Sequence, residues 1–115
     1  MKPWEYGTLR VSDNQRYLCN GDQPFFWLGD TAWLLFQQCS IEESYRYLKN
    51  RADKGFTVIQ AVLLHEVGGK TESSLADAGG DVTKKEFWEH CDQVIKMAEN
   101  LGLYMGLLPA WGAVV

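Results

Sequence analysis

The sequence predicts an α/β fold built on a parallel sheet, and two observations support this prediction. First, residues 25–28, 56–64 and 103–108 are nearly continuous apolar runs, which are typical of strands buried on both faces. Second, helical patterns with apolar stripes separate these runs, at 41–52 and 84–101. Strands that alternate with helices in this way form parallel sheets with right-handed crossovers.

Composition narrows the class of protein further. The 115 residues contain 11 Lys+Arg and 15 Asp+Glu, a net charge of −4 that argues against nucleic-acid binding, which needs a basic face. No window reaches the roughly 18 apolar residues of a membrane span, and no signal-peptide pattern follows Met1, so the localisation stays open. Cys19, Cys39 and Cys91 lack metal or redox spacing, and we expect buried or half-buried free thiols. The length fits one domain.

A β-hairpin is predicted ahead of the first parallel strand. Residues 9–12 and 16–19 are short runs of strand formers, and they flank the turn residues Asp13, Asn14 and Gln15. Residues 1–24 therefore form a lead-in to the parallel sheet.

Capping signals and periodicity define the two helices. The first helix begins at a capping box formed by Ser40 and Glu43, and the second at one formed by Thr83 and Glu86. His90 lies at the edge of the second apolar stripe, and we predict a solvated surface position for it. The predicted buried stripes are Ile41, Tyr45, Leu48 and Ala52 in the first helix, and Phe87, Cys91, Val94, Ala98 and Leu101 in the second.

Chemistry-bearing residues follow each predicted parallel strand. They are Asp30 and Trp33 after the first, His65 and Glu66 after the second, and Trp111 after the third. Ligands of parallel α/β sheets bind at the carboxyl ends of the strands. Indole rings stack on the C–H faces of sugars, while carboxylate and imidazole groups bind hydroxyls. These residues therefore predict a carbohydrate-binding rim, and the same set suggests no metal site.

Each of these residues also has a structural interpretation. Asp30 fits equally well as a cap for the turn that follows it. Trp33 and Trp111 fit a hydrophobic core, because Trp is highly buried on average. His65 fits a hydrogen-bonded structural residue, and Glu66 fits a solvated position in a flexible loop.

The long polar loop 65–82 contains Gly69, Lys70 and Thr71, which resemble the end of a phosphate-binding loop. Leu64 stands where that motif requires its first glycine, and the next helix begins only near residue 84. The loop is therefore not expected to bind a nucleotide, and the sequence predicts no cofactor.

Three segments resemble the apiosidase-like glycoside hydrolases, a family once catalogued as domain of unknown function 4038. The most specific is Pro24-Phe25-Phe26-Trp27-Leu28-Gly29-Asp30-Thr31-Ala32-Trp33. The pattern continues in Lys54-Gly55-Phe56-Thr57-Val58-Ile59-Gln60 and in Leu107-Leu108-Pro109-Ala110-Trp111-Gly112. The resemblance implies that the chain is the N-terminal part of a (β/α)8 TIM barrel. Residues 1–24 would be its hairpin lead-in, and residues 25–115 its first three βα units.

The resemblance also implies hydrolysis of glycosidic bonds in plant cell-wall or other polysaccharides by two carboxylates. It places Asp30, Trp33 and Trp111 on the substrate-facing rim and both catalytic carboxylates beyond residue 115. A complete barrel has about 250 residues, so we expect the chain to be inactive alone and to form homo-oligomers through exposed sheet edges. The alternative is a stand-alone, non-enzymatic α/β module that binds a small ligand or a partner chain.

Overall fold

The computed structural model describes residues 2–64, 66–67, 70–71 and 85–110. A 3-10 turn at Pro3–Tyr6 leads into a small antiparallel sheet. The predicted hairpin is confirmed, and a third strand that the sequence did not predict pairs with it. The strands of this sheet, in spatial order, are β1 (Leu9–Val11), β2 (Leu18–Asn20) and β3 (Gln23–Phe25).

A parallel sheet forms the centre of the molecule, as predicted. Its strands, in spatial order, are β4 (Gly29–Thr31), β5 (Val58–Leu64) and β8 (Tyr104–Ala110). A short antiparallel pair, β6 (Glu66–Val67) with β7 (Lys70–Thr71), follows β5 along the chain.

The first parallel strand does not lie where the apolar run 25–28 predicts it. That prediction is wrong, because Phe26 and Trp27 are 73% and 54% exposed and the parallel strand begins at Gly29. Pairing with β5 determines where this strand lies. The Thr57 hydroxyl, just before β5, donates to the Phe26 carbonyl oxygen at 2.6 Å and so aligns the residues of β4 with those of β5. Strand formation depends on such neighbours more than on local propensity.

In the part of the chain that the structure describes, three helices accompany the parallel sheet, and their bounds are α1 (Leu35–Gln38), α2 (Ile41–Asp53) and α3 (Lys85–Asn100). The capping box of α2 is confirmed. The Ser40 hydroxyl accepts from the Glu43 backbone N–H at 3.1 Å, and the Glu43 carboxylate accepts from the Ser40 backbone N–H at 3.0 Å. Thr83, the predicted cap of α3, lies outside the described residues.

The hydrophobic core fills the space between these helices and one face of the parallel sheet. Four residues of the predicted stripe of α3 are buried, namely Phe87, Cys91, Val94 and Ala98, while Leu101 lies just after the helix and is half-buried. The three cysteines are buried or half-buried free thiols, as predicted. No helix among the described residues combines the length and apolar character needed to cross a membrane. The buried core residues are Leu35, Phe36, Leu48, Ile59, Ala61, Phe87, Cys91, Val94, Ala98 and Leu103.

Two predictions about burial on the helices are wrong: Tyr45 was predicted to be buried, and His90 was predicted to be exposed. Tyr45 is 47% exposed, and Ser44 is buried instead, because α2 packs through the side that carries Ser44 and Leu48. His90 is only 5% exposed, since a ring nitrogen hydrogen-bonds the backbone of Cys39 just after α1. No local sequence signal indicates that α1 covers this part of α3.

The small antiparallel sheet packs against the amino end of the parallel sheet. Tyr104, the first residue of β8, accepts a hydrogen bond from the Asn20 amide at 2.7 Å. The rings of Phe25 and Trp4 meet the Tyr104 ring edge to face, with centroids 5.3 and 5.2 Å away. The lead-in therefore covers the end of the sheet opposite to the carboxyl ends of the strands.

Candidate functional site

The parallel register determines which face of the sheet each residue occupies. Asp30 aligns with Ile59, and Ile59 belongs to the helix-covered core. Thr31 aligns with Gln60, which in turn aligns with Gly106, on the opposite face. We call this side, defined by Thr31, Gln60 and Gly106, the open face. Asp30 therefore lies on the helix-covered face, although it was predicted from its place near the strand end.

The Asp30 carboxylate binds helix α2. One of its oxygens, Oδ2, accepts from the Tyr47 hydroxyl at 2.6 Å and from Arg51 Nε at 2.5 Å. The other oxygen accepts from the backbone N–H of Thr31 at 3.0 Å. Tyr47 and Arg51 are four residues apart on α2, so both face the strand. We call Asp30, Tyr47 and Arg51 the Asp30 cluster.

The charges of the Asp30 cluster support one another. The Arg51 guanidinium, followed by the Tyr47 hydroxyl, holds the pKa of Asp30 below its ordinary value. Burial, followed by the hydrogen bond to Asp30, raises the pKa of Tyr47. The Arg51 guanidinium also lies 4.7 Å from the centroid of the Tyr47 ring, a cation–π contact. At neutral pH the cluster therefore holds a carboxylate anion, a guanidinium cation and a neutral hydroxyl donor.

These contacts bear on the two sequence interpretations of Asp30. The helix after it begins at Leu35, with Leu34 as the N-cap and no capping side chain. Asp30 is therefore not the cap of that helix. Contact between Asp30 and a sugar stays a prediction.

Trp33 lies beside β5, two residues beyond the end of β4. Ala32 donates its N–H to the Gln60 carbonyl oxygen at 2.8 Å, and the Trp33 carbonyl oxygen accepts from Val62 at 3.4 Å. The chain thus runs along β5 toward its carboxyl end. Trp33 is half-buried and, together with Tyr47 and neighbouring residues, lines a groove of about 270 Å³. The position meets the geometric requirement for a rim residue, while stacking on a sugar stays a prediction.

The remaining predicted site residues are His65, Glu66 and Trp111, and the structure describes only the backbone of Glu66. His65 and Trp111 lie outside the described residues. Glu66 is the first residue of β6, and its backbone pairs with that of Thr71 in β7. Asp30 and Trp33 are therefore the two predicted site residues whose surroundings the structure describes.

Gln37 is a residue near the strand ends that sequence reasoning missed. It is buried, and its side-chain amide donates to the carbonyl oxygens of Val62 and Leu63 at 3.0 and 2.6 Å. These bonds attach α1 to the carboxyl half of β5. The sequence offered no signal for this role, because glutamine is usually exposed. By contrast, the spacing of Tyr47 and Arg51 was a usable signal for two side chains on one side of α2.

Comparison with known proteins establishes the family. A family model described as "Apiosidase-like, catalytic domain" matches residues 12–115. The chain belongs to this family. A search of the curated proteins finds no match.

Two solved structures resemble this apiosidase-like chain along nearly its whole length. One, described as a glycoside hydrolase, is 34% identical with a TM-score of 0.78, and the match covers 98% of this chain and 27% of that one. The other is a glycoside hydrolase family 5 protein from Bacteroides vulgatus, 32% identical with a TM-score of 0.78, with coverage of 97% and 26%. The chain thus spans about a quarter of the length of these proteins.

The matches confirm the resemblance inferred from the sequence. The chain has a glycoside hydrolase-like family and fold, and its parallel sheet and helices correspond to the N-terminal part of a TIM barrel.

Proposed function

We propose that this chain supplies the first βα units and part of the sugar-binding rim of a barrel that hydrolyses glycosidic bonds in a polysaccharide. The family match over residues 12–115 carries this proposal. Plant cell-wall polysaccharides are the substrate class that the sequence resemblance implied.

The proposed rim combines stacking and hydrogen bonding. Trp33 and Trp111 would stack on sugar rings, and His65 and Glu66 would bind hydroxyl groups. Asp30 belongs to the same region, three residues before Trp33. The position of Trp33 beside Val62, toward the carboxyl end of β5, supports this arrangement because ligands of parallel α/β folds bind at that end.

Hydrolysis itself requires an acid/base and a second carboxylate about 5 to 9.5 Å apart. The Asp30 carboxylate is an anion bonded to Arg51 and Tyr47, which does not suit a proton donor. We propose that both catalytic carboxylates belong to later strands of the barrel. Coverage of about a quarter of the matched structures supports this assignment.

The isolated chain provides the test. We expect no hydrolysis of aryl glycosides or pectic oligosaccharides, and weak oligosaccharide binding in calorimetric titrations. Trp33→Ala and Trp111→Ala should each weaken binding by roughly tenfold, the equivalent of about 1.4 kcal/mol. Trp27→Ala is the matched control, since this exposed indole precedes β4 at the opposite end of the sheet.

Two results would contradict the proposal. Turnover by the isolated chain that Asp30→Asn abolishes would place a catalytic carboxylate within these residues. Sugar binding that neither Trp variant weakens would show that Trp33 and Trp111 do not form the proposed sugar-binding rim. A stable protein partner in the absence of any sugar binding would instead favour the non-enzymatic module.

A further inference from the structure

We propose that the Asp30 cluster positions Trp33, and that Asp30 acts on the rim through Trp33 rather than by touching the sugar. Asp30, Tyr47 and Arg51 would fix the start of the segment that carries the indole. The consequence for sugar binding rests on the proposed function, whereas the positioning of Trp33 can be tested without any sugar.

The hydrogen bonds of Asp30 are the first support. A carboxylate oxygen has two lone pairs, and both on Oδ2 are used by Tyr47 and Arg51. The second oxygen already accepts from the Thr31 N–H. The carboxylate also lies on the helix-covered face, in line with Ile59. Its bonding capacity is thus directed toward α2 and away from the open face.

The attachment of the strand before Trp33 is the second support. Strand β4 has three residues, and within the described chain it pairs with β5. Beyond it, the Ala32 N–H and the Trp33 carbonyl oxygen form backbone hydrogen bonds with β5, at 2.8 and 3.4 Å. Asp30, three residues before Trp33, adds a side-chain attachment of the same segment to α2.

Tyr47 belongs to the cluster and also lines the groove that Trp33 lines. The Tyr47 hydroxyl donates to Asp30. Tyr47 also packs against the hydrophobic core, which makes α2 a rigid support. A change in the Asp30 cluster should therefore reach the indole across one side chain.

The positioning is tested with the indole N–H signals of the five tryptophans in a nitrogen-15 correlation spectrum. Trp33→Phe assigns the Trp33 signal. We expect Asp30→Asn and Tyr47→Phe to shift or broaden that signal and to leave the Trp4 signal, at the amino end of the sheet, in place. Lys49→Met is the matched control, because it removes the exposed Lys49–Asp53 ion pair from the same helix.

The result decides the proposal in either direction. An unchanged Trp33 signal in both Asp30→Asn and Tyr47→Phe would overturn it. Circular dichroism reports whether each variant is folded. Tyr47→Phe keeps the test decisive if Asp30→Asn does not fold, since it removes a single hydroxyl and keeps the ring.

Oligosaccharide titration then separates an indirect role from direct contact. If Asp30 acts through Trp33, Asp30→Asn and Tyr47→Phe should weaken binding by similar factors, roughly 3- to 10-fold for one lost hydrogen bond. A large loss in Asp30→Asn with unchanged binding in Tyr47→Phe would show direct contact and overturn the indirect role. If the unmodified chain binds no sugar, the proposed function fails, while the indole signals still decide the positioning.

Discussion

The two faces of the parallel sheet differ in the middle of β5. Ile59 and Ala61 on the helix-covered face are fully buried, whereas Gln60 between them is exposed on the open face. Side chains alternate between faces along a strand, so three consecutive residues sample both environments. One face packs into the hydrophobic core, and the other carries Gln60 beside Thr31 and Gly106, between the buried residues Val58 and Val62.

The two faces therefore have different expected roles: the helix-covered face stabilises the fold, and the open face belongs to the proposed function. Apolar burial on the helix-covered face supplies the stability of the described chain, at roughly 25 cal/mol per Å² of buried apolar surface. The open face corresponds to the interior when such a sheet closes into a barrel. The Asp30 cluster lies on the covered face but next to Trp33 at the proposed rim, and it therefore connects the two.

The largest expected effect is on the covered face. Phe36 is fully buried in the core, so Phe36→Ala should lower the free energy of unfolding by about 3–5 kcal/mol through lost burial and a cavity. Urea denaturation measures this value. Tyr45→Ala is the control on the exposed side of α2 and should change it by about 0.5 kcal/mol or less. A loss below about 1 kcal/mol for Phe36→Ala would contradict the division between the faces.

The Asp30 cluster should give a smaller effect that depends on pH. Arg51→Met leaves the Asp30 carboxylate without its cation and should cost about 1 kcal/mol at neutral pH, because the pair is about one-third exposed. The folded pKa of Asp30 lies below its ordinary 3.8. The contribution is therefore present above that pH and lost as the pH falls through the folded pKa.

Urea denaturation of Arg51→Met at pH 7 and in acid measures this dependence. Lys49→Met, which removes an exposed ion pair on the same helix, should cost only about 0.3–0.5 kcal/mol. Equal losses in the two variants would mean that the Asp30 cluster contributes no more than a surface ion pair.

The Asp30 cluster also shows how far sequence reasoning reaches. Strands β5 and β8 and helices α2 and α3 could be predicted, because long apolar runs, helical periodicity and the Ser40 capping box are strong local signals. Strand β4 could not, since Gly29 and Asp30 are poor strand formers and only pairing with β5 makes them extended.

That error changed the interpretation of Asp30. With the strand assigned to 25–28, Asp30 comes after its end, where side chains face a ligand. With the strand at Gly29–Thr31, Asp30 is its central residue and points to α2. A shift of one residue moves a strand side chain to the other face, so composition alone cannot determine such a position.

Acid sensitivity should also arise at His90 on the covered face. Burial lowers the pKa of His90 from its ordinary 6.5, and among the described residues Nε2 has no hydrogen-bond partner. The unfolded chain therefore binds the proton first, and the free energy of unfolding should fall as the pH drops below about 6.5. His90→Asn should flatten this dependence between pH 7 and 5, measured by urea denaturation. An unchanged slope in His90→Asn would show that His90 is not the source.

The smallest expected effect on stability, and the sharpest test of the open face, is at Gln60. Within the described chain, β4 and β8 each have one neighbouring strand, so we expect copies of the chain to associate along these edges and cover the open face. Gln60→Lys places a charge on the open face and should shift sedimentation toward monomer, while the free energy of unfolding changes by about 0.5 kcal/mol or less.

Tyr45→Lys is the control for this prediction: it lies on the outer side of α2 and should leave association unchanged. A monodisperse monomer before any substitution would contradict the expected association. Equal dissociation by both lysine variants would place the contact away from the open face, because Gln60 lies on that face and Tyr45 does not.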